Sequence, residues 1–254
     1  MDIITSADNE SIKKAKSLLD KKYRRFYGEF LLEGPKQIGD AIENGYKIVK
    51  FFVDSSKADD FMQLASKTDA PILFVKPNLF KSLCDTNTPQ GIVAEVELPA
   101  VPEYKYRTGD RLLILDRVSD PGNLGTIIRS ATATGFRHIF VIDCADAFAP
   151  KVVRASSGTV LNVNIYPTDV IEIINLCKRN YIDILVCDMH GENIFDFDIS
   201  KDYALVIGNE GHGVCNEIKD VGKLVCLPMR KSVESLNAGV SASVMMYLLE
   251  GKNI

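Results

Sequence analysis

Three polar loops hold the side chains best suited to chemistry. The segment Leu227-Pro-Met-Arg-Lys-Ser-Val-Glu-Ser-Leu-Asn237 sets Ser232, Glu234, Ser235 and Asn237 between an apolar run, Lys223 to Leu227, and a small-residue helical pattern, Ala238 to Glu250. A second loop, Gly208-Asn-Glu-Gly-His-Gly213, carries Glu210 and His212 among three glycines, which let backbone approach a ligand closely. The third, Asp116-Arg-Val-Ser-Asp-Pro-Gly-Asn-Leu-Gly-Thr-Ile-Ile-Arg129, offers Asn123 as a helix cap and Arg129 six residues on, expected near the same helix face. An Arg reaching back toward the start of its helix can clamp a phosphate. Each feature also has a plain reading: Ser235 and Asn237 as caps, Arg129 as a surface charge, His212 as an incidental loop residue.

All three loops leave apolar, strand-like runs. Arg111 to Leu115, His138 to Ile142, Ile182 to Cys187, Ala204 to Ile207 and Leu224 to Leu227 alternate with helical patterns, which predicts a mostly parallel sheet covered on both faces. Ligands in such sheets lie beyond the C-terminal strand ends, so the loops are expected to form one composite pocket. The first hundred residues alternate helix and strand signals as well, as a separate small α/β unit. Residues 98–109, with two prolines and no apolar period, read as a linker, giving expected domains 1–100 and 110–254.

Composition narrows the function. The chain has 254 residues, 46% hydrophobic and 25% charged, enough to bury a sizeable core. No apolar run reaches transmembrane length and Met1 to Asp20 lacks a signal-peptide core, so a soluble, cytoplasmic protein without membrane contact is expected. Six scattered cysteines (84, 144, 177, 187, 215, 226) with no Cys-x-x-Cys pair read as buried thiols, not as disulfides or a metal site. Neither a Gly-x-Gly-x-x-Gly fingerprint nor a phosphate loop is present, which demotes a dehydrogenase or an ATP-binding enzyme. A net charge of −4 argues weakly against nucleic acid, but residues 11–28 hold seven bases against Asp20 alone, a local +6. Tyr23, Phe26 and Tyr27 are interleaved with Lys21, Lys22, Arg24 and Arg25 there, a combination suited to phosphate contact and base stacking, or to a solvated helix followed by core aromatics.

Taken together and in order, Asn123 with Arg129, Gly-Asn-Glu-Gly-x-Gly, and Leu-Pro-Met…Ser-Leu-Asn resemble the SpoU (TrmH-like) family of RNA 2′-O-methyltransferases in the SPOUT superfamily. The likeness covers residues ~110–250, and Phe30 to Gly45 is similar to the ribosomal-protein-like RNA-binding domain that many members carry. The resemblance implies S-adenosylmethionine as methyl donor, a ribose 2′-hydroxyl of RNA as acceptor, a deep trefoil knot, and a homodimer built on the last helix. It implies Asn123, Arg129, Glu210, Ser235 and Asn237 as catalytic residues, and Gly208, Leu227, Met229 and Leu236 as cofactor contacts. RNA contacts are expected from Lys21, Lys22, Arg24, Arg25 and Arg129. Ribosomal RNA is the expected substrate, with transfer RNA, or a non-catalytic ribosome-assembly role, as alternatives; DNA is not expected. Lys231, where the family often has Gly, and Asn237-Ala-Gly in place of Asn-Val-Ser are departures beside the site.

Overall fold

Alternation of short β-branched runs with helices continues through the whole chain, and contacts divide it into two units. The computed structural model describes residues 2–198, 201–230, 232–233 and 235–250; Lys231 and Glu234 of the third loop lie outside that set. The first unit comprises residues 1–100 and 148–161, and the second comprises residues 101–147 and 162–254.

In the first unit, β1 (Ile3–Ile4), β2 (Glu29–Glu33), β3 (Ile48–Asp54), β4 (Ile72–Val75) and β5 (Ile92–Glu97) form a mixed sheet in the order β1-β4-β3-β5-β2. Helices α1 (Glu10–Ser17), α2 (Lys21–Tyr27), α3 (Pro35–Glu43), α4 (Met62–Ala65) and α5 (Pro77–Phe80) surround it. Ile12, Ala15 and Leu18 recur at helical spacing and meet Leu31, Phe52, Val75 and Val93 in one apolar layer. Between β3 and β4 the chain forms a 3-10 segment, Ser55–Phe61, followed by the single turn of α4. The expected domain limits miss residues 148–161. Here α7 (Pro150–Ala155) packs into the first unit, with Phe148 on Phe30 at 4.9 Å and the Tyr46 hydroxyl donating to Leu161 O at 3.3 Å.

In the second unit, β6 (Arg111–Asp116), β7 (His138–Ile142), β8 (Asn164–Pro167), β9 (Asp183–Asn193), β10 (Tyr203–Ile207) and β11 (Lys223–Cys226) form a sheet ordered β11-β9-β10-β6-β7-β8. Every neighbouring pair is parallel, as the near-continuous apolar strands predict. Side chains alternate across it. Leu112, Ile114, Ala204, Val206, Ile184 and Val186 pack with Ile173 and Cys177 of α8 (Val170–Arg179) and Ile218 of α9 (Asn216–Lys219). Tyr203, on the opposite face, donates to the buried Glu250 carboxylate at the end of α10 (Ala238–Glu250), which Arg111 also contacts. On that side α10 lies against α6 (Pro121–Ala133): Ser130 and Ser243 share a 2.7 Å hydrogen bond. A Cβ on Gly239 would meet Thr126 at 3.2 Å, so the small residues at the start of α10 serve close helix packing.

All six cysteines are free thiols. Burial pushes Cys84, Cys177 and Cys187 up to about 12 and Cys144 to about 11, which leaves them unreactive. Among the described residues no helix is long and apolar enough to cross a membrane.

Candidate active site

Strand register puts the three loops on one edge. Ile207 pairs with Leu115, and Asp116 with Ile142, so the chain leaves β6, β7 and β10 at the same level. β9 joins them in an unexpected way. Leu224 pairs with Val186, but Val225 pairs with Glu192, so residues 187–191 bulge out of the ladder at that edge. Gly191 permits this, since a Cβ there would sit 2.4 Å from Val225 N. The bulge exposes Met189, and Asp188 is ion-paired with Lys219 at 2.6 Å. Sequence reading stopped β9 at Cys187; Gly191 just past an apolar run was the available signal.

The first loop is anchored below and held open above. Asp116 is 1% exposed and accepts hydrogen bonds from the Arg117 guanidinium at 2.8 and 2.9 Å and from Cys215 N at 2.7 Å. Its carboxylate thereby ties β6 to the far end of the glycine loop. Arg117 has φ 56 and Asp143 φ 47, left-handed conformations rare for such residues and concentrated here at strand ends. Asp120, not Asn123, caps α6: its carboxylate accepts from Asn123 N at 2.8 Å, with Pro121 at the first helical position. The Asn123 side chain is thus free for a different task.

That task is to bridge the loops. Asn123 Nδ2 donates to Glu210 Oε1 at 2.9 Å, and Asn123 Oδ1 accepts from Asn237 Nδ2 at 2.8 Å. Asn237 also caps α10, its Oδ1 accepting from Val240 N at 3.2 Å. Glu210 receives a weak contact from Ser119 Oγ at 3.4 Å. Partial burial by itself would raise the Glu210 carboxyl. The Asn123 amide and nearby backbone N–H groups outweigh it and hold the carboxyl below its ordinary value, ionised. The glycine loop closes on itself through Asn209 N to Gly213 O (3.2 Å) and Gly213 N to Asn209 O (2.9 Å). Asn209 Nδ2 reaches Arg117 O at 2.8 Å, while its Oδ1 accepts from Gly211 N and His212 N. His212 turns to Asn209 and serves the loop, as its plain reading holds.

Arg129 and Ser235 stand apart from this chain. Six residues along α6 correspond to about 9 Å and a rotation of about 120° from Asn123, so the expected shared face does not exist. Arg129 is exposed and, among the described residues, has no hydrogen-bond or ion-pair partner. Ser235 is exposed beside Asn237. Leu227 is half-buried, while Met229 and Leu236 are 37% and 41% exposed. The main chain of 227–229 makes no hydrogen bond among the described residues, so its N–H and C=O groups are open to a ligand. At Gly208 a Cβ would lie 2.3 Å from Gly213 C and 2.4 Å from Val214 N, a position only glycine fills.

The basic segment is also sorted by the structure. Arg24 is 3% exposed and donates to Leu18 O at 2.7 Å, so its expected RNA contact is withdrawn: the guanidinium holds the α1–α2 turn. Lys14 is paired with Glu29 and Glu95. Lys21, Lys22 and Arg25 are exposed.

The chain matches known proteins along nearly its whole length. The model of the SpoU rRNA Methylase family matches residues 110–247, and that of the MRM3-like substrate binding domain matches residues 9–94. The chain belongs to the SpoU rRNA Methylase family. Among SpoU relatives, the 23S rRNA (guanosine(2553)-2'-O)-methyltransferase RlmP of Bacillus subtilis is 30% identical over 251 residues, spanning 98% of this chain and 99% of that one. The AdoMet-bound rRNA methyltransferase of Sinorhizobium meliloti superposes with a TM-score of 0.89 at 28% identity, covering 100% of this chain and 98% of the other. The SpoU methyltransferase AviRb of Streptomyces viridochromogenes, solved in complex with the cofactor AdoMet, gives 0.87 at 29% identity, with 96% and 98% covered.

Proposed function

We propose that this SpoU protein methylates a ribose 2′-hydroxyl of ribosomal RNA, using S-adenosylmethionine. The observation that carries the reading is the hydrogen-bonded chain Glu210–Asn123–Asn237, which joins three loops at one sheet edge. The residues present fit the donor. Open main-chain groups at 227–229 suit the polar edges of an adenosyl group. Met229 and Leu236 offer apolar surface for its ring, and the glycine at 208 lets the loop close tightly on Gly213 and Val214. Bound there, S-adenosylmethionine supplies an electrophilic methyl group on a sulfonium.

The chain's own residues do the rest. Glu210 holds Asn123, and Asn123 holds Asn237, so the loops keep a fixed spacing without the substrate's help. Ser235 and Asn237 position the ribose. Arg129, unpaired among the described residues, either binds the RNA phosphate as a cation while water takes the hydroxyl proton, or is held deprotonated and accepts that proton itself. Guanidinium groups ordinarily stay protonated, which favours the phosphate role. Arg129→Lys separates the two: an unshifted pH–rate profile with weakened RNA binding supports the clamp, and a shifted profile with surviving activity supports the base. Lys21, Lys22 and Arg25 supply phosphate contacts from the first unit.

A homodimer on the last helix belongs to the same proposal. Val240, Val244 and Tyr247 are 48%, 41% and 50% exposed and recur at helical spacing along one apolar stripe of α10. A trefoil knot is proposed too. Its support is chain order: after β11, at the edge of the sheet, the chain returns to pack α10 on α6. Sedimentation of the wild type and of Val244→Glu tests the dimer, and a wild-type monomer at micromolar concentration contradicts it. Transfer of labelled methyl from S-adenosylmethionine to ribosomal but not transfer RNA tests the activity.

A further inference from the structure

Helix α2 is short, yet it is anchored at both ends. Asp20 caps it by accepting from Lys22 N at 2.8 Å, and Gly28 ends it in the left-handed region at φ 65. Its buried residue is Arg24, not an apolar one. The aromatic residues that usually fill a core point outward instead: Phe26 is 76% exposed, Tyr27 40% and Tyr23 38%. At about 100° per residue these three rings share one arc of about 100°, and Phe26 lies about 160° from Arg24. The rings are mutually ordered. Tyr23 and Tyr27 stack at 6.5 Å with planes 23° apart, and Phe26 meets Tyr27 edge-on at 4.9 Å and 85°. An edge-on pair leaves ring faces uncovered.

Cations frame the rings. Lys22 Nζ lies 5.5 Å from the Tyr23 ring centroid, and Lys14 Nζ lies 5.2 Å from that of Tyr27. Lys21, Lys22 and Arg25 have no carboxylate partner among the described residues, and the nearby Asp20 is engaged as the cap. An ordered aromatic surface set among unneutralised cations matches a polyanion that also carries flat apolar faces. A second copy of the chain is disfavoured, because a self-complementary contact would bring like charges together.

We propose that the Tyr23–Phe26–Tyr27 face of α2 is a stacking platform for unpaired nucleotides of the RNA substrate, with Lys21, Lys22 and Arg25 on the flanking phosphates. Stacking on such rings needs bases whose faces are open, which a duplex denies, so the element read by the first unit is single-stranded RNA. The inference rests on the RNA reading above and adds the strandedness of the target.

The test measures binding of the full-length protein to a 12-nucleotide single strand and to the same sequence as a duplex, by fluorescence anisotropy across a salt series. The single strand is expected to bind at least tenfold more tightly. Phe26→Ala should cost roughly 5- to 150-fold on the single strand and leave the duplex unchanged, whereas Phe26→Tyr should retain binding. Lys22→Gln should weaken both forms and lower the salt slope by about one unit. Equal affinity for both forms, or an unchanged Phe26→Ala, overturns the platform while methylation of RNA by the same sample leaves the enzymatic reading standing. A Phe26→Ala change in sedimentation rather than in RNA affinity overturns it in favour of a protein interface. Absence of both RNA binding and methyl transfer removes the platform together with the enzymatic reading.

Discussion

Asn123→Asp exchanges one atom group at the centre of the site and has a calculable effect. In the wild type the Asn123 amide donates to Glu210 at 2.9 Å while its oxygen accepts from Asn237. Aspartate keeps the acceptor for Asn237 but replaces the donor with a carboxylate oxygen facing Glu210. Two unit charges 2.9 Å apart repel by about 1.4 kcal/mol even at the dielectric constant of water. The lost hydrogen bond to a charged group adds about 1.5 kcal/mol. The loop contact is therefore weakened by about 3 kcal/mol, roughly 150-fold in the population of the joined state. The sign with pH follows. Repulsion raises the carboxyl pair, so acid protonates one member and restores an O–H···O bond. Relative to the wild type, kcat/KM of the variant should fall at least tenfold at pH 8 and recover toward pH 5.5. Asn123→Ala should be impaired without recovering. The assay is methyl transfer to ribosomal RNA at saturating cofactor across that pH range, with a thermal melt of each protein as the folding control. Full activity of Asn123→Asp at pH 8, or a deficit that ignores pH, would refute the bridging role.

Other substitutions test separate parts of the account. Gly208→Ala forces a Cβ into Gly213 and Val214 and opens both Asn209–Gly213 hydrogen bonds, each worth about 1 kcal/mol. Calorimetry should show S-adenosylmethionine bound at least tenfold more weakly, while Gly211→Ala, whose Cβ meets only Asn209 Oδ1 at 3.7 Å, should bind as the wild type does. Arg24→Ala leaves a buried carbonyl without its donor and should cost about 2 kcal/mol in denaturant unfolding. Arg25→Ala should change stability by less than about 0.5 kcal/mol and weaken RNA binding instead. Burial and the adjoining Glu29 carboxyl push Glu95 up to about 7 despite Lys14, against an ordinary value of 4.5. Between those values the folded state holds a proton that the unfolded chain has released, so Glu95 makes stability fall as pH rises from about 4.5 to 7. Glu95→Gln should remove that slope from melting curves, and an unchanged slope would contradict the assignment.

The parallel sheet was legible because β6, β7 and β10 are continuous apolar runs that only a sheet buried on both faces accommodates. The candidate loops were legible because strand ends in such sheets converge. Less visible were features set by tertiary contact. Asp120 and Asn123 are both good caps three residues apart, and only the turn geometry at Pro121 selects the first. Arg24 and Arg25 are adjacent and alike in sequence, yet the carbonyl of Leu18 draws one inward. β1 and β8 are short edge strands with too few residues to show a period. α7 falls within the sequence span of the second unit but finds its apolar partners in the first, through Phe148 and Phe30. The bulge at 187–191 is signalled in sequence by Gly191 alone, and its place is set by pairing with β11.

Digestion to nucleosides of ribosomal RNA incubated with the protein and methyl-labelled S-adenosylmethionine tests the central claim most directly. The account predicts label in a single 2′-O-methylnucleoside, lost when Asn237→Ala cuts the link to Asn123. Label on a base, or undiminished 2′-O-methylation by Asn237→Ala, would contradict it.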